Sequence, residues 1–362
     1  MQPHSCFYAA ASPVRRGTVP GGMASPRSAG QGPVQPGRLI FQALEHALRF
    51  LTFSERDSAP RLGAETGDHI IDLTGLAAAE GIDLPDDLLT LIGSSAAGID
   101  AVRDLLTERD SQTLRHHTRS RAEVSLHAPF RPGKIIGVGL NYRKHVEESS
   151  RTLDTDSSLP SRPVLFSKPG TAVTGPGSPI LHDSRLTEQL DWECELAVVI
   201  GRTARHVAAE DAWNHIFGYS IINDISARDQ RRSGQWFFSK GQDSYAPFGP
   251  VVVTRDEIAR PMALNLSLRV NGELKQNSNT RNMLFTIPRL IADITSGITL
   301  EPGDVIATGS PAGVGAGFDP PQFLQPGDLV EATIESIGTL SNPVIAAGNT
   351  DAAAGLREGA TL

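Results

Sequence analysis

Cysteine is nearly missing from the 362-residue chain: only Cys6 and Cys194 are present, far apart, which rules out a disulfide framework and a cysteine-rich zinc site. Long apolar runs are missing as well, none approaching the roughly 20 residues that cross a bilayer, so no membrane partner is expected. A surplus of positive charge is also lacking. With 33 Lys+Arg against 41 Asp+Glu the formal net charge is −8, which offers no basic face to a phosphate backbone and argues against nucleic acid as a partner. Lysine itself is scarce. Only five of the 33 basic residues are lysines (Lys134, Lys144, Lys168, Lys240 and Lys275), so a lysine inside a motif carries more weight here. Acidic residues are absent from the first 44 positions, which hold four arginines among repeated Pro, Gly and Ser. Such a stretch has too little apolar surface to offset its ordering entropy, and residues 1–45 are expected to be a disordered extension. The same acid-free composition suits an organellar transit peptide, although Pro and Gly interrupt any amphipathic helix. Both readings stay open: a dispensable extension, with Met23 as an alternative start, in a reduced cytoplasmic protein, or targeting to mitochondria.

What is present is an ordinary globular composition, 39% hydrophobic and 20% charged, in a chain long enough for one large or two modest domains. Alternation over 48–53 predicts a half-buried strand, GAETGDHIIDL (63–73) a hairpin closing on a second strand, and 85–114 helices with a charged face. Residues 46–125 therefore read as a small N-terminal α/β accessory lobe. From 130 to 344, short apolar strands alternate with Gly and Pro turns, at 134–138, 196–201, 251–254, 264–270 with its Asn271-Gly272 turn, 304–308 and 329–334. Helices are expected at 207–216 and 286–297. This texture predicts an α+β, strand-rich catalytic domain built as a mixed roll or barrel, with 345–362 as a loose tail.

One strand carries unusual charge. In DWECELAVVIG (191–201) an apolar run of the kind buried on both faces begins with Glu193 and Glu195, which share one side because strand residues alternate. Two like charges there are costly to desolvate unless a cation compensates them; the bland alternative is a solvent-facing strand end. A third carboxylate, Asp224, sits between Ile222 and Ile225 in a second apolar run, GYSIINDISARD (218–229). Three inward carboxylates make an all-oxygen site suited to Mg²⁺, Mn²⁺ or Ca²⁺. Alternatively Asp224 pairs with Arg228 at i, i+4. Upstream, His145 and Glu148 lie three apart after a glycine-punctuated strand, a spacing at which a carboxylate can orient an imidazole as general base. The nearby glycines lack both a Walker lysine and dinucleotide spacing.

These stretches, with PVLFSKP (163–169), 235–254, 270–285, LEPGDVIATGSPAGVG (300–315) and 326–344, resemble the fumarylacetoacetate hydrolase family in its order over nearly all of 131–344. RLGAETGDHIIDL resembles the accessory domain of its longer members, and PPQFLQPGD (320–328) the branch named for fumarylacetoacetate hydrolase domain-containing protein 2. The resemblance implies Glu193, Glu195 and Asp224 as ligands to Mg²⁺ or Mn²⁺. It implies His145 and Glu148 as the catalytic dyad, on a segment that can behave as a lid, with Lys240 assisting. It also implies Tyr142, Arg143, Lys168 and Thr308 as substrate-binding residues. Two positions depart from the family pattern, Gly241-Gln242 after Lys240 and Ser310 for the second Thr of its Thr-Gly-Thr-Pro loop. The activity implied is metal-dependent hydrolysis of a C–C bond in an acylpyruvate or fumarylpyruvate-like 2,4-dioxo acid through a metal-held enolate, by a homodimer. The alternatives are oxaloacetate decarboxylation, keto–enol tautomerisation and isomerisation of an unsaturated 2-oxo dioate, which share that intermediate.

Overall fold

Apolar runs such as 197–200 and 251–253 have no polar face to offer water, and they form the middle of the main sheet. The structure, a computed structural model, describes residues 48–56, 58–152 and 158–348. The expected N-terminal extension and the tail from 349 onward lie outside the described residues. The sheet runs in the order Thr118–Ser120, His69–Asp72, Arg61–Thr66, Arg49–Ser54, Ala246–Thr254, Ile216–Asn223, Cys194–Ile200, Val305–Ala307, Ile135–Gly139, Val164–Lys168. Most neighbours are antiparallel; Val305–Ala307 and Ile135–Gly139 are parallel. The path has two free ends, so among the described residues the fold is an open, mixed, strand-rich α+β arrangement and not a closed barrel. The N-terminal strands continue it directly, with Arg49 paired to Val253 and Phe50 to Val252.

Alternation along Cys194–Ile200 assigns each side chain to one of two cores. Leu196, Val198 and Ile200 join Leu266, Leu268, Val330 and Ile334 of a second, five-stranded sheet, whereas Ala197 and Val199 join Phe50, Leu76, Leu91 and Leu105 of the N-terminal region. Covering both faces explains why this strand is buried at every residue. In the second sheet Asn271 and Gly272 adopt φ of 52° and 78°, the left-handed pair of a tight hairpin, joining Asn265–Val270 to Glu273–Asn279.

The helical stretch expected over 85–114 is three helices, Leu88–Gly93, Ser95–Thr107 and Ser111–His116, the first and last capped by the side chains of Asp87 and Asp110. Helix Leu73–Glu80, capped by Asp72, was not anticipated. The expected 207–216 helix is a 3₁₀ segment, Ala209–His215, and the 286–297 helix is Ile287–Thr295. At the C-terminal end the strand Gly338–Ala346 runs two residues past 344. No described helix is long and apolar enough to cross a membrane.

Candidate active site

Register brings the acids together. Cys194 opposes Asn223, so the residues just outside the pairing, Glu193 and Asp224, emerge side by side, and the Asp224 N–H donates to the Glu193 carbonyl at 2.9 Å. Asp224 thus lies one residue past its strand and not within it. Glu195 falls on the same side as Glu193, and carboxylate oxygens of Glu193, Glu195 and Asp224 all lie within 4.8 Å of one another. All three side chains are buried.

Cations surround this cluster. The Lys240 ammonium donates to Asp224 Oδ2 at 2.6 Å, to Glu193 Oε2 at 3.1 Å and to Ser226 Oγ at 2.7 Å. Lys168, wholly buried at its head group, donates to Asp224 Oδ1 at 2.5 Å and to the Ile225 carbonyl at 3.1 Å. Arg228 pairs with Asp191 at 2.8 Å and Glu193 at 2.6 Å. The expected alternative, an Asp224–Arg228 pair, does not form; Asp224 takes the two lysines instead. Glu195 makes no ion pair among the described residues and accepts a single hydrogen bond, from the Gly309 N–H at 2.8 Å. Gly309 has φ of 101°, and a Cβ there would lie 2.6 Å from that of Asn141, so only glycine can bring this donor in.

Burial pushes Glu195 well above the usual carboxylate range, and the charges of Asp224 and Glu193 act in the same direction. Burial also opposes ionisation of Glu193, but Lys240 and Arg228 outweigh it and hold this group below the usual range. Lys168 is lowered by burial despite Asp224, whereas for Lys240 the pull of Asp224 and Glu193 exceeds the burial cost and raises it. Three buried, all-oxygen donors, one of them an acid with no cationic partner among the described residues, fit a hard divalent cation such as Mg²⁺ or Mn²⁺. Cys194 is not a candidate nucleophile, because burial and Glu195 drive its thiol pKa up.

The dyad approaches from a separate element. Helix Arg143–Thr152 places His145 and Glu148 on one turn, with Nδ1 3.1 Å from Oε2. Glu148 is fixed from behind by the Gly313 N–H at 2.9 Å, and it packs so closely on Gly317 that a Cβ there would lie 2.2 Å from its carboxyl carbon. With Nδ1 engaged, Nε2 is the ring nitrogen left for proton transfer. His145, Glu193, Arg228, Lys240 and Ser310 line one cleft.

The remaining expected residues sit elsewhere. Tyr142 is buried in the apolar core, Arg143 is exposed, and Lys168 lies behind Asp224. Thr308 is fully buried and spends its hydroxyl on the Leu196 carbonyl at 2.8 Å; Ser310, two residues on, reaches the cleft. Asp191 was missed. It accepts from the N–H groups of Trp192, Gly315 and Ala316 and from Arg228, an assembly spanning more than 120 residues of sequence that no local pattern announces.

The family description "Fumarylacetoacetate (FAA) hydrolase C-terminal" matches residues 134–345. Oxaloacetate tautomerase YisK of Bacillus subtilis (strain 168) is 43% identical over 266 residues, 72% of this chain and 87% of that protein. Oxaloacetate tautomerase fahd2, mitochondrial, of Xenopus laevis is 38% identical over 319 residues, 86% of this chain and 94% of its own. Among solved structures, maleylpyruvate hydrolase from Sphingobium sp. SYK-6, in complex with manganese (II) ion and pyruvate, superimposes with a TM-score of 0.66 at 32% identity, covering 83% of this chain and 99% of that one.

Proposed function

The chain belongs to the fumarylacetoacetate hydrolase family, in the branch of domain-containing protein 2 and its tautomerase relatives, and from that premise we propose that it catalyses keto–enol proton transfer on a small 2-oxo acid such as oxaloacetate. The observation that carries the reading is the placement of an oriented imidazole, His145, in the same cleft as Glu193 and Lys240. Glu193, Glu195 and Asp224 would hold a divalent cation, which would supply Lewis acidity to the substrate's oxygens. His145 removes a proton from C3 at Nε2, Glu148 holds the ring and stabilises the imidazolium, and the Lys240 ammonium sets positive charge beside the oxygen that gains charge. Delivery of that proton to O2 completes the enol, and the reverse path returns the ketone.

A second reading, hydrolysis of an acylpyruvate to pyruvate and a carboxylic acid, draws support from the likeness to maleylpyruvate hydrolase and uses the same dyad to activate water. Oxaloacetate and an acylpyruvate panel, assayed with Mg²⁺ and Mn²⁺, separate the two. Tautomerisation followed by enol absorbance, together with exchange of C3–H into D₂O, is expected to exceed the solution rate, with His145→Ala lowering both by about 10²–10⁴-fold. Release of pyruvate from acylpyruvates, with C3–H exchange largely surviving His145→Ala, would transfer the protein to the hydrolytic reading. Carbon dioxide as the main product from oxaloacetate would make it a decarboxylase.

A further inference from the structure

One buried carboxylate takes no part in the chemistry above, Asp191. It is fully buried and does not line the cleft, yet each of its oxygens accepts two hydrogen bonds. Oδ1 accepts from the N–H groups of Trp192 at 2.7 Å and Gly315 at 2.6 Å, and Oδ2 from Ala316 N–H at 3.0 Å and Arg228 Nε at 2.8 Å. Glycine is what this approach demands at 315, since a Cβ there would lie 2.8 Å from Oδ1 and 2.0 Å from the Gln322 carbonyl oxygen. The next residue in the chain holds the same loop at its other end: the Trp192 indole N–H donates to the Gly313 carbonyl at 3.0 Å, with the ring packed in the core. What that loop carries gives these contacts their meaning. Gly313 N–H donates to Glu148, and Gly317 packs against the same carboxyl. Asp191 and Trp192 also stand immediately before Glu193, so the segment that delivers the first acid of the cluster clamps the loop that holds the carboxylate orienting His145.

We propose that Asp191 and Trp192 are positioning residues for proton transfer, setting the alignment of the His145 imidazole through the 313–317 loop and Glu148. The inference rests on the dyad reading above and deepens it. Acceptor count makes Asp191 exacting. An amide of the same size offers one oxygen and one NH₂, so Asn at this position turns a donor either toward Trp192 and Gly315 or toward Ala316 and Arg228, and that pair of N–H groups loses its acceptor. In both orientations the loop is released at one of its two bonds to residue 191. A displacement of about 1 Å passed on to Glu148 misdirects Nε2, which costs rate and not substrate affinity.

The tautomer of His145 reports on this alignment without turnover. With Glu148 accepting from Nδ1–H, protein labelled with ¹⁵N-histidine is expected to show one ring, assigned by its absence from His145→Ala, locked with Nδ1 protonated and Nε2 bare at about pH 8. In Asp191→Asn the signal should move toward a mixture of tautomers, and in Trp192→Phe, which keeps Asp191 and Arg228, it should move the same way by less. The rate of C3–H exchange on Mg²⁺-loaded protein should fall about 10- to 100-fold in Asp191→Asn, with KM for oxaloacetate within about threefold of wild type. Asp191 also reaches the acid cluster through Arg228 and Glu193, and a double-mutant cycle separates that route. Added to Glu148→Gln, Asp191→Asn should cost less than about threefold more, because the carboxylate it acts through is already gone; losses that multiply overturn the proposal. A His145 signal that stays locked in either folded variant overturns it too, and where Asp191→Asn does not fold, Trp192→Phe decides alone. A ring that loosens in both variants of a protein showing no exchange keeps the positioning role and sinks the tautomerase; exchange with neither tautomer nor rate altered in the variants does the reverse.

Discussion

Two networks of paired charges occupy the same sheet and behave oppositely. In the N-terminal region Glu65 bridges Arg49 and Arg121, Glu55 bridges Arg61 and Arg119, and Arg61 also reaches Asp72. The arginines there keep 18–34% of their side-chain surface in water. At the cleft the charged side chains keep at most 6%. Four acids (Asp191, Glu193, Glu195 and Asp224) face three cations (Lys168, Lys240 and Arg228), and one acid is left with a backbone amide alone. Water reaches the arginines of the first set, so its balance matters less; nothing screens the second, so its unmatched acid, Glu195, holds its proton until another cation takes that place. The difference teaches that density of ion pairs is no guide to their role. Burial and the mismatch in count are.

The largest effect should come from breaking the cleft side of this contrast. Glu193→Ala and Asp224→Ala are expected to lower metal-dependent turnover by about 10³-fold or more, the scale of losing several kcal/mol of charge stabilisation. Full activity in chelator-treated wild type would remove the metal from the account altogether. Glu195→Gln sharpens the point, because it removes the acid that has no cationic partner among the described residues and that burial keeps protonated until a cation arrives: the metal-free protein should melt within about 2 °C of wild type while the melting shift caused by Mn²⁺ shrinks. An undiminished Mn²⁺ shift in Glu195→Gln would mean that Glu195 takes no part in holding the cation.

Next in size is Lys240→Met. Stranding Glu193 and Asp224 without their shared ammonium should cost about 3–5 kcal/mol in the metal-free protein, measured by denaturant unfolding, with much of it recovered at saturating Mg²⁺. No recovery would show that the lysine and the divalent cation do not serve the same carboxylates.

On the N-terminal side, Arg61→Ala should cost about 1 kcal/mol or less, shrink further in high salt, and leave turnover alone. A loss as large as that for Lys240→Met would erase the contrast. The smallest effect concerns protons. His127, hydrogen-bonded to Ser54 Oγ at 2.8 Å, is lowered by burial, so the unfolded chain takes up its proton first as pH falls. Its share of stability is complete above the unfolded value near pH 6.5 and is lost as pH drops from there toward the folded value. His127→Gln should flatten the pH dependence of stability between pH 7 and 5, and an unchanged slope would exclude this group.

What the chain revealed before folding follows the same division between local and distant. Asn271-Gly272 announces its hairpin because the turn chemistry is complete in two residues, and Glu193 with Glu195 announces a shared face because strands alternate. Neither lysine of the cleft could be placed by such rules: Lys168 meets Asp224 across 56 residues and Lys240 meets Glu193 across 47, and only the family resemblance marked them. The setting of Thr308 was hidden for a related reason. The register of Ala197 with Ala307 puts its hydroxyl beside the Leu196 carbonyl, and that register is a property of the sheet.

The grip on Glu148 has one more implication. The carboxylate that aligns the imidazole is itself clasped by the Gly313 amide and wedged against Gly317, so the helix bearing the dyad and the 313–317 loop share a single latch. Lifting that helix away would undo the latch and misalign the base in one movement. Orientation of the base is thus shared by two segments 165 residues apart, and a change in the 313–317 loop would reach the imidazole without touching it.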